Sequence, residues 1–511
     1  MIYYQSTRGN KKRYTFSETI LKGIAEDGGL FVPEILPQIT IDNLKLLQNT
    51  SYQEKALFVL NLFQPDYSIG TIRKIIRKAY SSNFDTNKIA PLVHLKDRQY
   101  VLELWHGPTS AFKDLALQIM PLFFSEALRK DNKNRISHDE KPLRYLILVA
   151  TSGDTGKAAL EGYKNKKDIT IIVFYPYSHV SRLQELQLNT QEGENVAVYS
   201  VDGDFDTTQS LVKDIFNDKE FNNKLFSEFQ TVASSANSIN WGRLVPQIIY
   251  YFSSYLDLVD KRVIKLGEEI DISVPTGNFG NILAAFYAKK IGLPLRKLIC
   301  ASNENNILTE FFRTGIYDVR KRTLAQTPSP SMDILISSNV ERLLFTTTNN
   351  SEQVSQWMHE LKIKGRFEVN KQVKIILRQE FYADWVSNEH CLQNIKNVFH
   401  ETNYLMDPHT SVAQTVAERY IKQTNTTFPI VICSTAHFAK FANNVYKALK
   451  GVNVAPQMDE FKILELICEY IHHESVPKSI SSLKNKRIRF NKKCNIDIDL
   501  IENLIIENIV S

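Results

Sequence analysis

Residues 106–114 read His106-Gly107-Pro108-Thr109-Ser110-Ala111-Phe112-Lys113-Asp114, and they set one lysine between a strand and a helix. Tyr100 to Trp105, just before, is a strand-like block, and Leu115 to Phe124, just after, is a mostly apolar helical run. Gly107 to Ser110 supply the turn and the N-cap, so Lys113 is expected in the first turn of a helix bound for the core. The positive end of the helix dipole and burial both disfavour an ammonium there. A neutral amine is what condenses with an aldehyde to a Schiff base. The other reading open to Lys113 is a side chain whose stem covers apolar surface while its amine stays in water.

Three more junctions share this strand–turn–helix form. Thr151-Ser152-Gly153-Asp154-Thr155-Gly156 follows the apolar run Leu143 to Val149 and precedes the helix start Lys157 to Gly162. That geometry gathers backbone N–H groups and hydroxyls around an anion, or simply connects a strand to a helix. It is no nucleotide P-loop, because Thr151 and Ala158 stand where that motif needs Gly and Ser or Thr. Pro275-Thr276-Gly277-Asn278-Phe279-Gly280-Asn281 follows Ile272 to Val274 and opens a helix at Ile282. Its glycines let backbone approach a ligand, and its asparagines tolerate a left-handed residue. Last, Phe428 to Cys433 delivers Ser434 and Thr435 at the carboxyl end of a strand, where ligands collect in α/β sheets. Either hydroxyl serves equally well as a helix N-cap.

Together these segments resemble the threonine synthase family, within the fold type II (tryptophan-synthase-like) pyridoxal-phosphate enzymes. Further matching stretches are Ser6 to Gly9, Asp27 to Pro33, Asn237 to Arg243, Ser331 to Asp333 and Asp407 to Thr410, in the family's order as far as Lys440. The pattern is that of the longer, yeast and enterobacterial type. One departure is Phe438, where the family has proline. Beyond Val452 no motif is recognisable.

The resemblance implies a fold and a chemistry. The fold is α/β, with two open, mostly parallel sheets flanked by helices and a helical N-terminal domain. Lys113 holds pyridoxal 5′-phosphate as a Schiff base, and Gly277, Asn278, Phe279, Gly280 and Asn281 bind its phosphate. Thr435, rather than Ser434, faces the pyridine nitrogen. Thr151, Ser152, Asp154, Thr155, Asn237, Ser238 and Arg243 surround the substrate, with Arg243 as phosphate clamp, Asp154 bonded to a backbone N–H or near the cofactor's 3′-oxygen, and Arg8 reaching in from the N-terminus. The reaction is conversion of O-phospho-L-homoserine and water to L-threonine and phosphate, the last step of threonine biosynthesis. The alternatives are a phospho-lyase or serine/threonine dehydratase giving a 2-oxo acid, as vertebrate threonine-synthase-like proteins illustrate, and a non-catalytic binding protein on the same scaffold.

The remaining sequence is compatible. With 511 residues, 43% hydrophobic and 23% charged, the chain has room for several domains. Four units are expected: a largely helical domain at 1–95, a smaller α/β domain at 96–240, a larger α/β domain at 241–450, and an extension at 451–511. Residues 351–400 read as a polar helical excursion. A net charge of +6 does not call for nucleic acid, and the basic run Lys484 to Lys493 reads as a solvated edge strand. Cys300, Cys391, Cys433, Cys468 and Cys494 have no CxxC spacing, so no metal site and a reducing cytoplasm are expected. His472-His473 is an isolated pair on a helical stretch. The first residues do not read as a signal peptide and no run is long enough to span a bilayer. A small-molecule substrate, no nucleic acid, no membrane, and a monomer or homodimer complete the expectations.

Overall fold

The first 80 residues hold strand β1 (Tyr4–Ser6), helix α1 (Phe16–Lys22), strand β2 (Phe31–Pro33) and helices α2 (Ile41–Leu47), α3 (Tyr52–Leu62) and α4 (Ile69–Ala79) in the computed structural model, which describes residues 2–177, 180–453, 458–472 and 476–510. Capping boxes start α1, α2 and α3: Thr15, Thr40 and Ser51 each accept from the third helical N–H, and Glu18, Asn43 and Glu54 reach back. Such caps satisfy donors that a helix start leaves open, at about 1 kcal/mol apiece. β1 and β2 pair antiparallel.

After β3 (Leu92–Lys96) and β4 (Gln99–Glu103), the lysine segment leads into α5 (Asp114–Leu117) and α6 (Met120–Ser137). The expected single helix is broken here. Pro121 has no N–H to give the Leu117 carbonyl, so the helix restarts at Met120. α7 (Asp154–Tyr163) packs into the break, where a Cβ on Gly162 would lie 2.0 Å from the Leu117 oxygen.

The remaining strands are β5 (Arg144–Ala150), β6 (Ile169–Pro176), β7 (Val196–Val201), β8 (Thr231–Ser234), β9 (Ile270–Pro275), β10 (Leu295–Ser302), β11 (Ile316–Asp318), β12 (Arg366–Glu368), β13 (Phe381–Trp385), β14 (Ile430–Ser434) and β15 (Lys493–Cys494). Among the described residues they form a six-stranded sheet, β13-β10-β9-β14-β4-β3, a five-stranded sheet, β15-β7-β6-β5-β8, and the small antiparallel pairs β1-β2 and β11-β12. Every pairing in the two large sheets is parallel except β3 with β4. The two-sheet α/β class expected from the sequence is thus the observed one. Strands such as β6, with no exposed residue, need both faces covered, which is what parallel crossover helices provide.

Several boundaries differ from expectation. β4 belongs to the large sheet, so the unit expected at 96–240 opens with a strand of the other sheet, and β15 returns from the C-terminal extension to edge the small one. Residues 351–400 include β12 and the edge strand β13, both too short and mixed in character to read as strands. The basic run is mostly a strap rather than a strand. Arg489 donates to the carbonyls of Gln191 and Gly193, Lys486 pairs with Glu192, and Lys493 begins β15. His472 caps the helix Glu460–Ile471 in a left-handed conformation, and His473 lies outside the described residues.

The helix Trp241–Asp260 is buried along almost its whole length and packs on α3, α5 and the helix Gly280–Lys290. Each large apolar side chain it buries contributes about 1.5–3 kcal/mol. Its start, together with the carboxyl ends of β5, β8, β9 and β14 and the lysine segment, converges on one cavity. No described helix is long and apolar enough to cross a membrane.

Candidate active site

A cavity of about 710 Å³ opens where these strand ends meet. Its wall includes Lys113, Thr151, Ser152, Thr155, Asn237, Ser238, Arg243, the loop Gly277 to Asn281, and Thr435. Segments more than 300 residues apart in sequence therefore share one space, as the four junctions require.

Lys113 sits at the N-cap of α5, a helix of four residues, so burial rather than a helix dipole governs its amine. The residue is 8% exposed, and its Nζ is 3.3 Å from Asp154 Oδ2 and 3.4 Å from Ser331 Oγ. Burial lowers its pKa, Asp154 opposes that, and the positive charges of Lys440 and Arg243 reinforce it. The segment is held by Gly107, where a Cβ would fall 2.4 Å from that of Asp114. Asp114 accepts from the backbone and hydroxyl of Thr109, and burial raises its carboxyl to about 6.

Of the two places expected for Asp154, the bond to a backbone N–H is not formed. The carboxylate lies behind the cavity wall, and its partners are side chains: Lys440 at 2.8 Å, Gln184 at 3.0 Å, Lys113 and Ser331. Burial alone would raise this carboxyl, but the two ammonium groups outweigh it and hold it well below the usual range. Within the same turn, Thr151 Oγ1 accepts from the N–H groups of Gly153 and Gly156, which pins the loop and leaves Ser152 and Thr155 on the cavity.

The loop after β9 enters the helix Gly280–Lys290 through Phe279, at φ 63°, so a phenylalanine rather than an asparagine takes the left-handed position. Phe279 is held by ring contacts with Phe312 and Phe381, which supply the packing that offsets the backbone strain. Gly277 lies against the segment Ser331 to Met332. Asn281 Oδ1 accepts from the hydroxyls of Tyr250 and Tyr251, while its Nδ2 is buried with no partner among the described residues.

Arg243 is 3% exposed and donates one Nη1 bond to Ala236 O, while its Nε is buried and unpartnered among the described residues. Burial brings its pKa down to about 10. Arg8 does not reach this wall; its guanidinium is committed to Glu341 in a two-pronged bond. At the end of β14 the two hydroxyls part: Ser434 Oγ accepts from Trp105 Nε1 and Thr410 Oγ1, and Thr435 lines the cavity. Phe438 is buried at the start of a single 3₁₀ turn, capped by His437 rather than pre-set by a proline ring. The described residues contain no cluster of His, Cys, Asp and Glu able to hold a metal ion.

The cavity fits a phosphorylated pyridine aldehyde. A buried amine suits the aldehyde, a glycine loop too tight for a Cβ suits close approach of phosphate, and two unpartnered donors, Asn281 Nδ2 and Arg243 Nε, lack the acceptors that anionic groups carry. Sequence reasoning assigned roles to thirteen residues of the wall but missed Ser331 and His409 on it, and Lys440 and Gln184 behind it. His409 lines the cavity, accepts the Ser331 N–H at Nε2 and shares its Nδ1 proton with Asp407. Ser331, His409 and Lys440 stood inside matching stretches without an assigned role; Gln184 gave no signal.

Comparison with known proteins agrees with this geometry. Residues 3–80 match the family model described as threonine synthase N terminus, and residues 410–505 match threonine synthase, C-terminal. The human protein threonine synthase-like 1 is 45% identical over 444 residues, 85% of this chain; the chain spans 58% of that protein's length. Threonine synthase of Saccharomyces cerevisiae is 37% identical over 531 aligned positions, covering 99% of this chain and 98% of the yeast protein. A crystal structure of pyridoxal-phosphate-bound threonine synthase from Brucella melitensis superposes with a TM-score of 0.86 at 34% identity, covering 100% of both chains.

Proposed function

The chain belongs to the threonine synthase family, and on that premise we propose that it converts O-phospho-L-homoserine and water to L-threonine and phosphate. The observation that carries the reading is the buried Lys113 amine on the same cavity as the Gly277-to-Asn281 loop, Arg243 and Thr435.

Bound there, pyridoxal 5′-phosphate supplies an electron sink for the amino acid's Cα. Gly277 to Asn281 hold its phosphate at a helix N-terminus. Thr435 meets the pyridine nitrogen with a hydroxyl, which, unlike a carboxylate, does not force that nitrogen to stay protonated. Thr151, Ser152 and Thr155 donate to the substrate carboxylate. Arg243 takes the substrate phosphate with its planar fork, Asn237 and Ser238 beside it. Lys113 is the acid–base that moves protons at Cα and Cβ, its buried position keeping the amine able to accept one. Phosphate leaves from Cγ and water adds at Cβ.

A second reading, release of a 2-oxo acid, stands beside this one because identity to threonine synthase-like 1 exceeds identity to the yeast synthase. Incubation with O-phospho-L-homoserine separates the two. Threonine equal to phosphate supports the synthase, 2-oxobutyrate equal to phosphate supports the second reading, and neither product refutes both.

A further inference from the structure

Lys440 is 1% exposed, and its ammonium is spent on two acceptors from different segments: Asp154 Oδ1 at 2.8 Å and the Thr109 carbonyl at 2.9 Å. It thereby ties the 434–441 segment to both the lysine loop and the Asp154 turn. Asp154, 3% exposed, lies between this ammonium and that of Lys113. A buried carboxylate facing a single lysine would hold that lysine charged and useless as a nucleophile. Here it faces two, and the shorter contact is with Lys440.

We propose that Lys440 is a positioning residue that neutralises Asp154, so that Lys113 is the lysine of the pair free to give up its proton and take the cofactor. The charged and titratable groups around Lys113 fit this division. Asp154 from α7 is the near anion, Lys440 and Arg243 are cations, and His409 and Asp333 line the same cavity. Asp333 is occupied by Thr327, Asn303 and Asn305, and His409 by Asp407 and Ser331. Neither contacts Lys113. The lowered pKa of Lys113, with Lys440 among its causes, is in keeping.

The inference rests on Lys113 being the cofactor lysine, as proposed above. Its test is the pH at which uptake of pyridoxal 5′-phosphate by the cofactor-stripped full chain is half complete, followed by visible absorbance. Lys440→Met leaves Asp154 uncompensated beside Lys113, and the midpoint is expected to rise by about one unit or more. Asp154→Asn removes the anion and leaves Lys440, so the midpoint falls. Lys440→Arg keeps the wild-type midpoint. The neutral pair Asp154→Asn with Lys440→Met returns it to within about half a unit of wild type, and this pair decides the matter if Lys440→Met alone fails to fold. A purely structural Lys440 predicts weaker uptake with no shift, and equal midpoints in all variants overturn the proposal. Failure of the wild type to take up cofactor at any pH refutes instead the assignment of Lys113.

Discussion

Gly277 and Ser331 meet so closely that a Cβ on the glycine would come within 2.9 Å of the Ser331 carbonyl oxygen and 3.0 Å of the Met332 Cα. Both neighbours are backbone, so an added methyl group must move one loop off the other. Gly277→Ala is expected to retain the fold while loosening cofactor binding about tenfold or more, the usual scale of 1–3 kcal/mol for overpacking. Equilibrium titration with pyridoxal 5′-phosphate, beside a thermal melt, checks this.

Arg243 is held at one nitrogen by Ala236 O, which leaves the rest of its fork for a ligand. A lysine carries the charge without the fork. Arg243→Lys is expected to raise KM for O-phospho-L-homoserine by roughly tenfold to a hundredfold, since charge-assisted bonds contribute about 1.5–3 kcal/mol. The visible spectrum of the bound cofactor is expected to stay unchanged. An altered spectrum with normal KM would place Arg243 on the cofactor instead.

Ser434 and Thr435 are adjacent yet face different surroundings, Trp105 and Thr410 for the first and the cavity for the second. Thr435→Ala is therefore expected to alter the cofactor's visible absorbance. Ser434→Ala removes a buried acceptor and is expected to lower thermal stability by about 1–2 kcal/mol with the spectrum intact. Reversal of the two results would exchange their roles.

His106 lies between Glu103 Oε2 at 2.9 Å and Asp85 Oδ1 at 2.5 Å. Burial would lower its pKa, but the two carboxylates outweigh it and raise the imidazole above its ordinary 6.5. The stabilisation is fully present below pH 6.5 and is lost as the pH rises through the raised value. His106→Gln is expected to lower stability most at pH 6 and by progressively less toward pH 9. Denaturant melts of both proteins across that range test the sign.

What the sequence made legible is the set of junctions where a strand ends in a turn of distinctive residues. Gly107, Gly153 and Gly277 each occupy a space that a Cβ would not fit, so the turn itself is written in residue types. The α5–α6 break was not read, although Pro121 marks it: the apolar run from Leu115 to Phe124 masked the lost N–H. Lys440 and Gln184 were not readable as partners of Asp154, because those contacts join positions 286 and 30 residues apart with no local pattern. β13 and β15 escaped notice because five and two residues of mixed polarity carry too little period-two signal. The C-terminal extension carried no motif, yet it reaches the lysine loop, where Ser479 Oγ stands 2.6 Å from Ser110 Oγ.

The most direct test of the account is turnover of O-phospho-L-homoserine in heavy-oxygen water by the wild type and by Lys113→Ala, with phosphate, threonine and 2-oxobutyrate all measured. Departure of phosphate from Cγ with water entering at Cβ puts the heavy oxygen in the threonine hydroxyl and leaves the phosphate unlabelled. The account predicts that pattern, with threonine equal to phosphate, and its abolition in Lys113→Ala. Label in the phosphate, 2-oxobutyrate in place of threonine, or turnover that survives loss of Lys113 would contradict it.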